Sequence, residues 1–198
     1  MPAATATLLD DSATNVDQWI AEEVETAFAE QEGVAFISGD GVNKPRGFLD
    51  YPTILEQNWS WGNLGYIPTG VPGDFSPVDP FDSFIYLTYA LRAPYRQNAV
   101  WVMNRTIQAF ARRFKDADGN YIWQPPTGAG AQASILNHPI VEAEDMADAA
   151  PDSMSVAFGD FNRGYLIVDR LGVRVLRDPF SKKPFVLFYT TKRVGGGV

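Results

Sequence analysis

The stretch GDFNRGYLIVDRLGVRVLRDPFSKKPFVLFYTTKRVGGGV, residues 159–198, carries three β-strand signals in a row. Tyr165 to Arg170, Val173 to Asp178 and Phe185 to Arg193 are rich in β-branched and aromatic residues, side chains that fit a pleated, half-buried surface. Leu171-Gly172 and Pro179-Phe180-Ser181 separate them, so the segment reads as a meander of three strands. It is also basic. Eight Lys or Arg (Arg163, Arg170, Arg174, Arg177, Lys182, Lys183, Lys192, Arg193) stand against three acids (Asp160, Asp169, Asp178), net +5. Met1 to Phe158 holds eight bases against twenty-one acids, net −13. Basic strands on an acidic chain point to assembly through complementary surfaces, not to catalysis.

Composition narrows the function classes further. The chain has 198 residues, 45% hydrophobic and 13% aromatic, enough for a packed core in one large or two small domains. No apolar run approaches the roughly 18 residues needed to cross a bilayer, and Met1-Pro2-Ala3-Ala4 lacks the basic-then-apolar order of a signal peptide. The reading is a soluble chain with no membrane partner. Without cysteine there is no disulfide, thiolate metal site or Cys nucleophile, and the single His138 leaves histidine catalysis thinly supplied. A net charge of −8 argues against a tight grip on duplex nucleic acid, which depends on Lys and Arg neutralising phosphates.

Upstream, Val16, Ile20, Val24, Ala27 and Phe28 recur at spacings of three and four, predicting an amphipathic helix from Asn15 to Glu32 that ends at Gly33. Asn15 and Gln18 make a capping box. Asp10 to Glu32 contains eight acids and no base, so no helical ion pair relieves the repulsion and an external basic surface would. Val34 to Ile37 reads as a short strand, followed by turns at Gly39-Asp40-Gly41 and Lys44-Pro45-Arg46-Gly47. Trp59 and Trp61 alternate with polar residues as in a strand or hairpin. Asp79-Pro80 reads as an N-cap with proline at the first helical position, opening a helix with Phe84, Ile85, Thr88 and Leu91 on one stripe that ends before Pro94. Ala99 to Met103 is a buried-strand candidate, and Asn104 caps a helix from Arg105 to Lys115. Tyr121 to Gln124, Ile135 to Glu142 with a break at Pro139, and Ser155 to Phe158 read as strands, giving an α+β class.

Each candidate for chemistry has a plainer reading. Asp116-Ala117-Asp118-Gly119 begins like a calcium loop, but Thr127 stands where the bidentate Glu belongs, and a turn is the better reading. Glu142, Glu144 and Asp145 could hold a hydrolase pair; solvated loop acids are far commoner. Gly128-Ala129-Gly130 lacks the Gly-Lys-Ser/Thr of a phosphate loop and reads as a flexible linker. Trp59-Ser60-Trp61 could stack on sugars, though surface or interface packing accounts for it better. His138 reads as an ordinary strand-end residue, and the basic strand residues as edge protection or salt-bridge partners before nucleic-acid ligands.

Ile37-Ser38-Gly39-Asp40-Gly41-Val42-Asn43-Lys44-Pro45-Arg46-Gly47-Phe48 resembles the Gly-Asp-Gly…Pro-x-Gly element after the spine helix of major capsid proteins of the Hong Kong 97 phage type. Val102-Met103-Asn104-Arg105, the run from Asp116 to Gln124, the run from Gly159 to Tyr165, and Val168-Asp169-Arg170 are similar to that family in order and spacing. Each motif is weak alone; five in order are specific. The resemblance is nearest to capsid proteins of gene transfer agents and spans essentially the whole chain.

The resemblance implies a Hong Kong 97-type capsid fold. Its peripheral domain would comprise residues 1–33 with the spine helix and residues 169–194 with long strands, its axial domain residues 34–168, and residues 195–198 would return toward the latter. It implies a structural subunit, not an enzyme, with no cofactor, forming hexamers and pentamers of a shell that encloses DNA without reading its sequence. Portal and other head proteins would be its partners, and it would assemble in the bacterial cytoplasm into a virion or gene transfer agent capsid. Contact candidates are Glu22, Glu23, Glu25 and Glu30 on the helix, Asp40, Lys44 and Arg46 in the turn, and Arg174, Arg177, Lys182, Lys183, Lys192 and Arg193 on the strands. The family's N-terminal arm and extended loop have no counterpart, so the chain reads as a core with both ends missing. The lysine-bearing loop of the family's isopeptide cross-link is absent too, and Phe185 to Lys192 contains no Glu or Asn, so that chemistry is not carried over. Two alternatives remain: an encapsulin-like shell holding a cargo enzyme, and a carboxylate hydrolase or sugar-binding domain using Glu142, Glu144, Trp59 or Trp61.

Overall fold

A computed structural model describes residues 2–12, 15–116, 118–123 and 133–198. Along the chain run β1 (Ala3–Thr5), α1 (Ala6–Asp11), α2 (Val16–Ser38), β2 (Thr53–Leu55), β3 (Leu64–Tyr66), α3 (Asp82–Ala90) and α4 (Ala93–Arg96). There follow β4 (Val100–Met103), α5 (Arg105–Arg112), β5 (Ser134–Ile135), β6 (His138–Glu142), β7 (Val156–Gly159), α6 (Phe161–Gly164), β8 (Leu166–Lys182) and β9 (Phe185–Gly197). They form two compact units: Met1–Gly47 with Ile167–Gly197, and Phe48–Leu166 with Val198.

In the first unit, α2 starts where the capping residues predict. The Asn15 side chain accepts from Gln18 N at 3.1 Å, but the Gln18 amide donates onward to Glu22 at 3.0 Å instead of closing a reciprocal box. The helix does not stop at Gly33. It continues through Val34 to Ile37, the residues read as a strand, because Ala35 and Ile37 are both buried in its last turns. Tertiary burial outweighs the roughly 1 kcal/mol that a mid-helix glycine costs. The predicted three-strand meander is a hairpin of two long strands, in a sheet ordered β1-β9-β8. Leu171-Gly172 and Pro179 lie inside β8 without ending it. The physical reason is position: β8 is an edge strand, where the missing N–H of proline leaves no central ladder bond unmade. Ile20, Ala4, Val186 and Phe188 form this unit's core, with Leu9, Val16 and Val24 against it.

The second unit centres on a four-stranded sheet ordered β5-β6-β4-β7, with β4 parallel to β6 and antiparallel to β7. Central β4 carries fully buried Trp101 and Met103, packed with Ile107 and Ala111 of α5, Phe84 of α3, and Ile135 and Ile140. Asn104 caps α5 by accepting from Ile107 N at 2.9 Å, as its sequence position predicts. Four local expectations differ. The helix expected from Asp79-Pro80 begins at Asp82, because Asp79 takes a left-handed φ of 50° and its carbonyl accepts from Asp82 N, making a turn there. Residues 135–142 form a hairpin with β5, its turn made by Leu136 and Asn137 at φ 50° and 65°, so the break lies there and not at Pro139. Tyr121 makes only an isolated bridge with Lys115, and Gln124 lies outside the described residues. Trp59 and Trp61 stand in a turn after a short 3-10 helix, between the parallel pair β2 and β3.

Candidate functional site

The acidic helix and the basic strands meet inside the first unit. Val186 and Phe188 of β9 pack at Ile20 of α2, and six strand positions later Lys192 reaches Glu32, twelve helix positions on. Six residues at about 3.3 Å and twelve at 1.5 Å both cover roughly 18–20 Å, so helix and strand run alongside each other in the same direction. Lys192 Nζ lies 2.6 Å from Glu32 Oε1 and donates to Oε2 at 2.7 Å. Both side chains retain under a fifth of their exposure. The hydrogen bond to Glu32 comes first in raising the Lys192 pKa above the ordinary lysine value, ahead of the carboxylates of Asp169 and Glu25.

Glu32 was not among the contact candidates drawn from the sequence, although the signal existed. It continues the four-residue spacing of Val16, Ile20, Val24 and Phe28, which places it on the packed stripe. The nominated acids Glu22, Glu23, Glu25 and Glu30 are all exposed, and the described structure does not bring them onto the strands as a group. Trp19, 59% exposed, shares that solvent side.

On the ribbon, Arg174, Arg177, Lys182, Lys183 and Arg193 are exposed, while Lys192 is half-buried. Lys182 lies 6.0 Å from the Phe185 ring centre. Large apolar side chains stand among these charges: Ile167, Val168, Val175, Leu176, Phe180 and Tyr189 are all exposed. Asp178 is engaged locally, accepting from Phe180 N at 2.9 Å and from the Ser181 hydroxyl; chiefly that hydroxyl lowers its pKa.

The Gly-Asp-Gly…Pro-x-Gly element is a tight connection in the same unit. Asp40 pairs with Arg46 as a bridge, accepts from Val42 N at 3.0 Å and lies 3.5 Å from Lys44 Nζ. The Val42 bond leads in holding its pKa below the ordinary carboxylate value. Gly47 N donates to Gly39 O at 2.8 Å and Arg46 N to Gly196 O at 3.1 Å, so the turn is tied to the end of β9. A side chain on Gly47 would run into the backbone of Ile37 and Ser38, and one on Gly39 into Pro45 O and Ala35 O.

The second unit holds an open concavity of about 1490 Å³ lined in part by Trp59, Trp61, Tyr66, Tyr95 and Asp160. Glu142, Glu144 and Asp145 are not in its lining, and Glu144 instead lies 3.5 Å from Arg105 Nε. The structure therefore places the two indoles in the concavity and does not bring the three acids to them. His138 packs edge-on against Phe158 at 5.0 Å. Asp116 accepts from Asp118 N and Asn120 N, the turn predicted there; the bond from Asn120 is the first cause of its lowered pKa. Thr127 and Gly128 to Gly130 lie outside the described residues. Among the described residues, no group of three His, Asp or Glu side chains is placed to hold a metal ion, and no helix is long and apolar enough to cross a membrane.

A profile of the phage capsid family matches residues 1–198. The chain is similar to the capsid chain of an empty GTA (gene transfer agent) particle at 49% identity and TM-score 0.93, covering 99% of this chain and 67% of that one. Against the capsid chain of the native GTA particle the values are 48% and 0.93, covering 100% and 66%. The chain thus spans about two thirds of the length of these relatives. A chain from Gordonia phage Cozz shares the fold alone, with 16% identity and TM-score 0.58 over 98% of this chain and 63% of that one. The comparison with curated proteins gives no match.

Proposed function

We propose, from the premise that this chain belongs to the phage capsid family, that it is a major capsid subunit whose copies build the rings of a closed, DNA-containing shell. The observation that carries this reading is the β8–β9 ribbon. A two-stranded ribbon is marginal by itself in water, and this one exposes apolar side chains among basic ones along most of its length. So many exposed large apolar side chains on one element mark a contact site. The similar GTA capsids are described with fivefold symmetry, in keeping with pentamers; hexamers complete a shell larger than the smallest. Within the subunit, the unit of α2, β8 and β9 serves as the peripheral domain and the unit built on β4 as the axial domain.

The subunit works by shape and contact. Asp40, Lys44 and Arg46 brace the connection between helix and strand, and the exposed charges of α2 and the ribbon meet neighbouring copies. DNA is enclosed without sequence-specific binding, consistent with the net charge of −8, and the particle exists as a virion or gene transfer agent capsid assembled in the bacterial cytoplasm. Portal and other head proteins would complete it. Sedimentation of the full-length protein tests the reading: species of many subunits carrying nuclease-protected DNA are expected from native particles. Cargo protein in place of DNA would reassign it to an encapsulin-like shell, and monomers alone would overturn it.

A further inference from the structure

We propose that, in the assembled protein, the tip of the β8–β9 ribbon of one copy docks on the solvent face of α2 of a second copy, bringing Phe180, Lys182 and Lys183 against Trp19, Glu22 and Glu23. This rests on the capsid-subunit reading and names one contact within it.

The first observation is that this helix face is open: Trp19, Glu22 and Glu23 are all exposed. At 100° per residue Glu22 lies opposite Ile20 and Val24, Trp19 lies on the flank of α2, and Glu23 borders the packed stripe about 60° from Ile20. Ile20 and Val24 are already packed against Val186 and Phe188 of β9. Of the two bases on β9, Lys192 is paired with Glu32 toward the helix's far end and Arg193 stands exposed. The acidic face has no base in its own helix, since Asp10 to Glu32 contains none. Exposed carboxylates with no base in their own helix suit a basic surface brought by another molecule.

The second observation is what the ribbon offers. Phe180 is 79% exposed, flanked in sequence by exposed Lys182 and Lys183. The one acid beside it, Asp178, is satisfied by Phe180 N and the Ser181 hydroxyl, so it does not cancel the lysines by pairing with them. An exposed aromatic ring bordered by cations matches an exposed indole bordered by carboxylates. Charge complementarity selects the register, and the two rings supply the buried anchor such contacts need. Every copy carries both halves, so the contact is head-to-tail and propagates from copy to copy, as a multi-subunit ring or shell requires. A polyanion such as DNA would suit the tip alone but leave the acidic helix face uncovered, which favours the second copy.

The absence of native cysteine makes the test clean. The full-length double variant Glu23→Cys with Lys183→Cys, assembled and then mildly oxidised, is expected to give a ladder of covalent multimers on a non-reducing gel. Asn63→Cys paired with Lys183→Cys is the control and is expected to give none. In parallel, Lys182→Glu with Lys183→Glu is expected to raise the protein concentration for half-assembly by about tenfold or more, and adding Glu22→Lys with Glu23→Lys to restore it. Circular dichroism checks that each variant folds. Normal assemblies with no ladder above control, or with no response to the tip reversal, would overturn this contact and leave the capsid reading standing. A wild-type chain that never associates would overturn both.

Discussion

Gly47 shows how one residue type ties the family motif to the fold. Its Cα lies against the backbone of Ile37 and Ser38 at the end of α2, so there is no room for a methyl group. Gly47→Ala forces backbone to move and is expected to destabilise the protein by roughly 1–3 kcal/mol, read as a lower urea midpoint with an unchanged slope. Lys192 is the second decisive residue. Its pKa is raised, first by the hydrogen bond to Glu32, so its contribution is fully present below the ordinary lysine value of about 10.4 and is lost as pH rises through the higher folded value. Unfolding at pH 8 and pH 11 should show that loss in the wild type, and a smaller one in Lys192→Met. Glu32→Gln at neutral pH is expected to cost about 1–2 kcal/mol, since each partner keeps some solvent. The sequence nominates Lys192 for contacts between copies; here it pairs within its own chain, with Glu32, which the four-residue stripe marks and the nomination passes over. Counting charge from Asp10 to Glu32 does not sort the acids by face, whereas only the helical face distinguishes Glu32 from Glu30.

Among elements, those set by local chemistry were the most legible. Asn15 and Asn104 are both caps where sequence position put them, and β4 is the buried strand its apolar run suggests. Asn104 does more than cap, because its amide also donates to Met146 O at 3.0 Å and to Asp148 at 2.9 Å. Asn104→Ala therefore loses a cap and leaves the buried Met146 carbonyl without its donor; a cost of roughly 2–4 kcal/mol is expected in urea unfolding. Trp101→Ala, which empties the centre of the same core, should cost about 3–5 kcal/mol. The misread elements share a different cause. Gly33 and Pro179 are breakers by local propensity, yet α2 and β8 run through them because burial of Ala35 and Ile37, and the edge position of β8, are decided by tertiary context. The asparagine turn at Leu136-Asn137 was legible in principle, since asparagine tolerates the left-handed conformation, but Pro139 drew the break to itself.

For the molecule as a whole, the sequence carried the acidic-to-basic division and five motifs in order, and the structure adds where those charges stand. Glu22, Glu23, Glu25 and Glu30 of α2 are exposed, while the ribbon exposes apolar and basic side chains together. Such a surface is costly in an isolated subunit and useful in an assembled one. Contacts with a large electrostatic share weaken as salt screens them, so assembly of the wild-type protein is expected to require more protein at 1 M NaCl than at 0.1 M, as light scattering would read. A shell subunit must close into particles, and electron microscopy of the purified full-length protein shows whether it does: closed particles built from five- and sixfold rings are expected, and a field of single dispersed subunits at every protein concentration and salt would overturn the capsid reading.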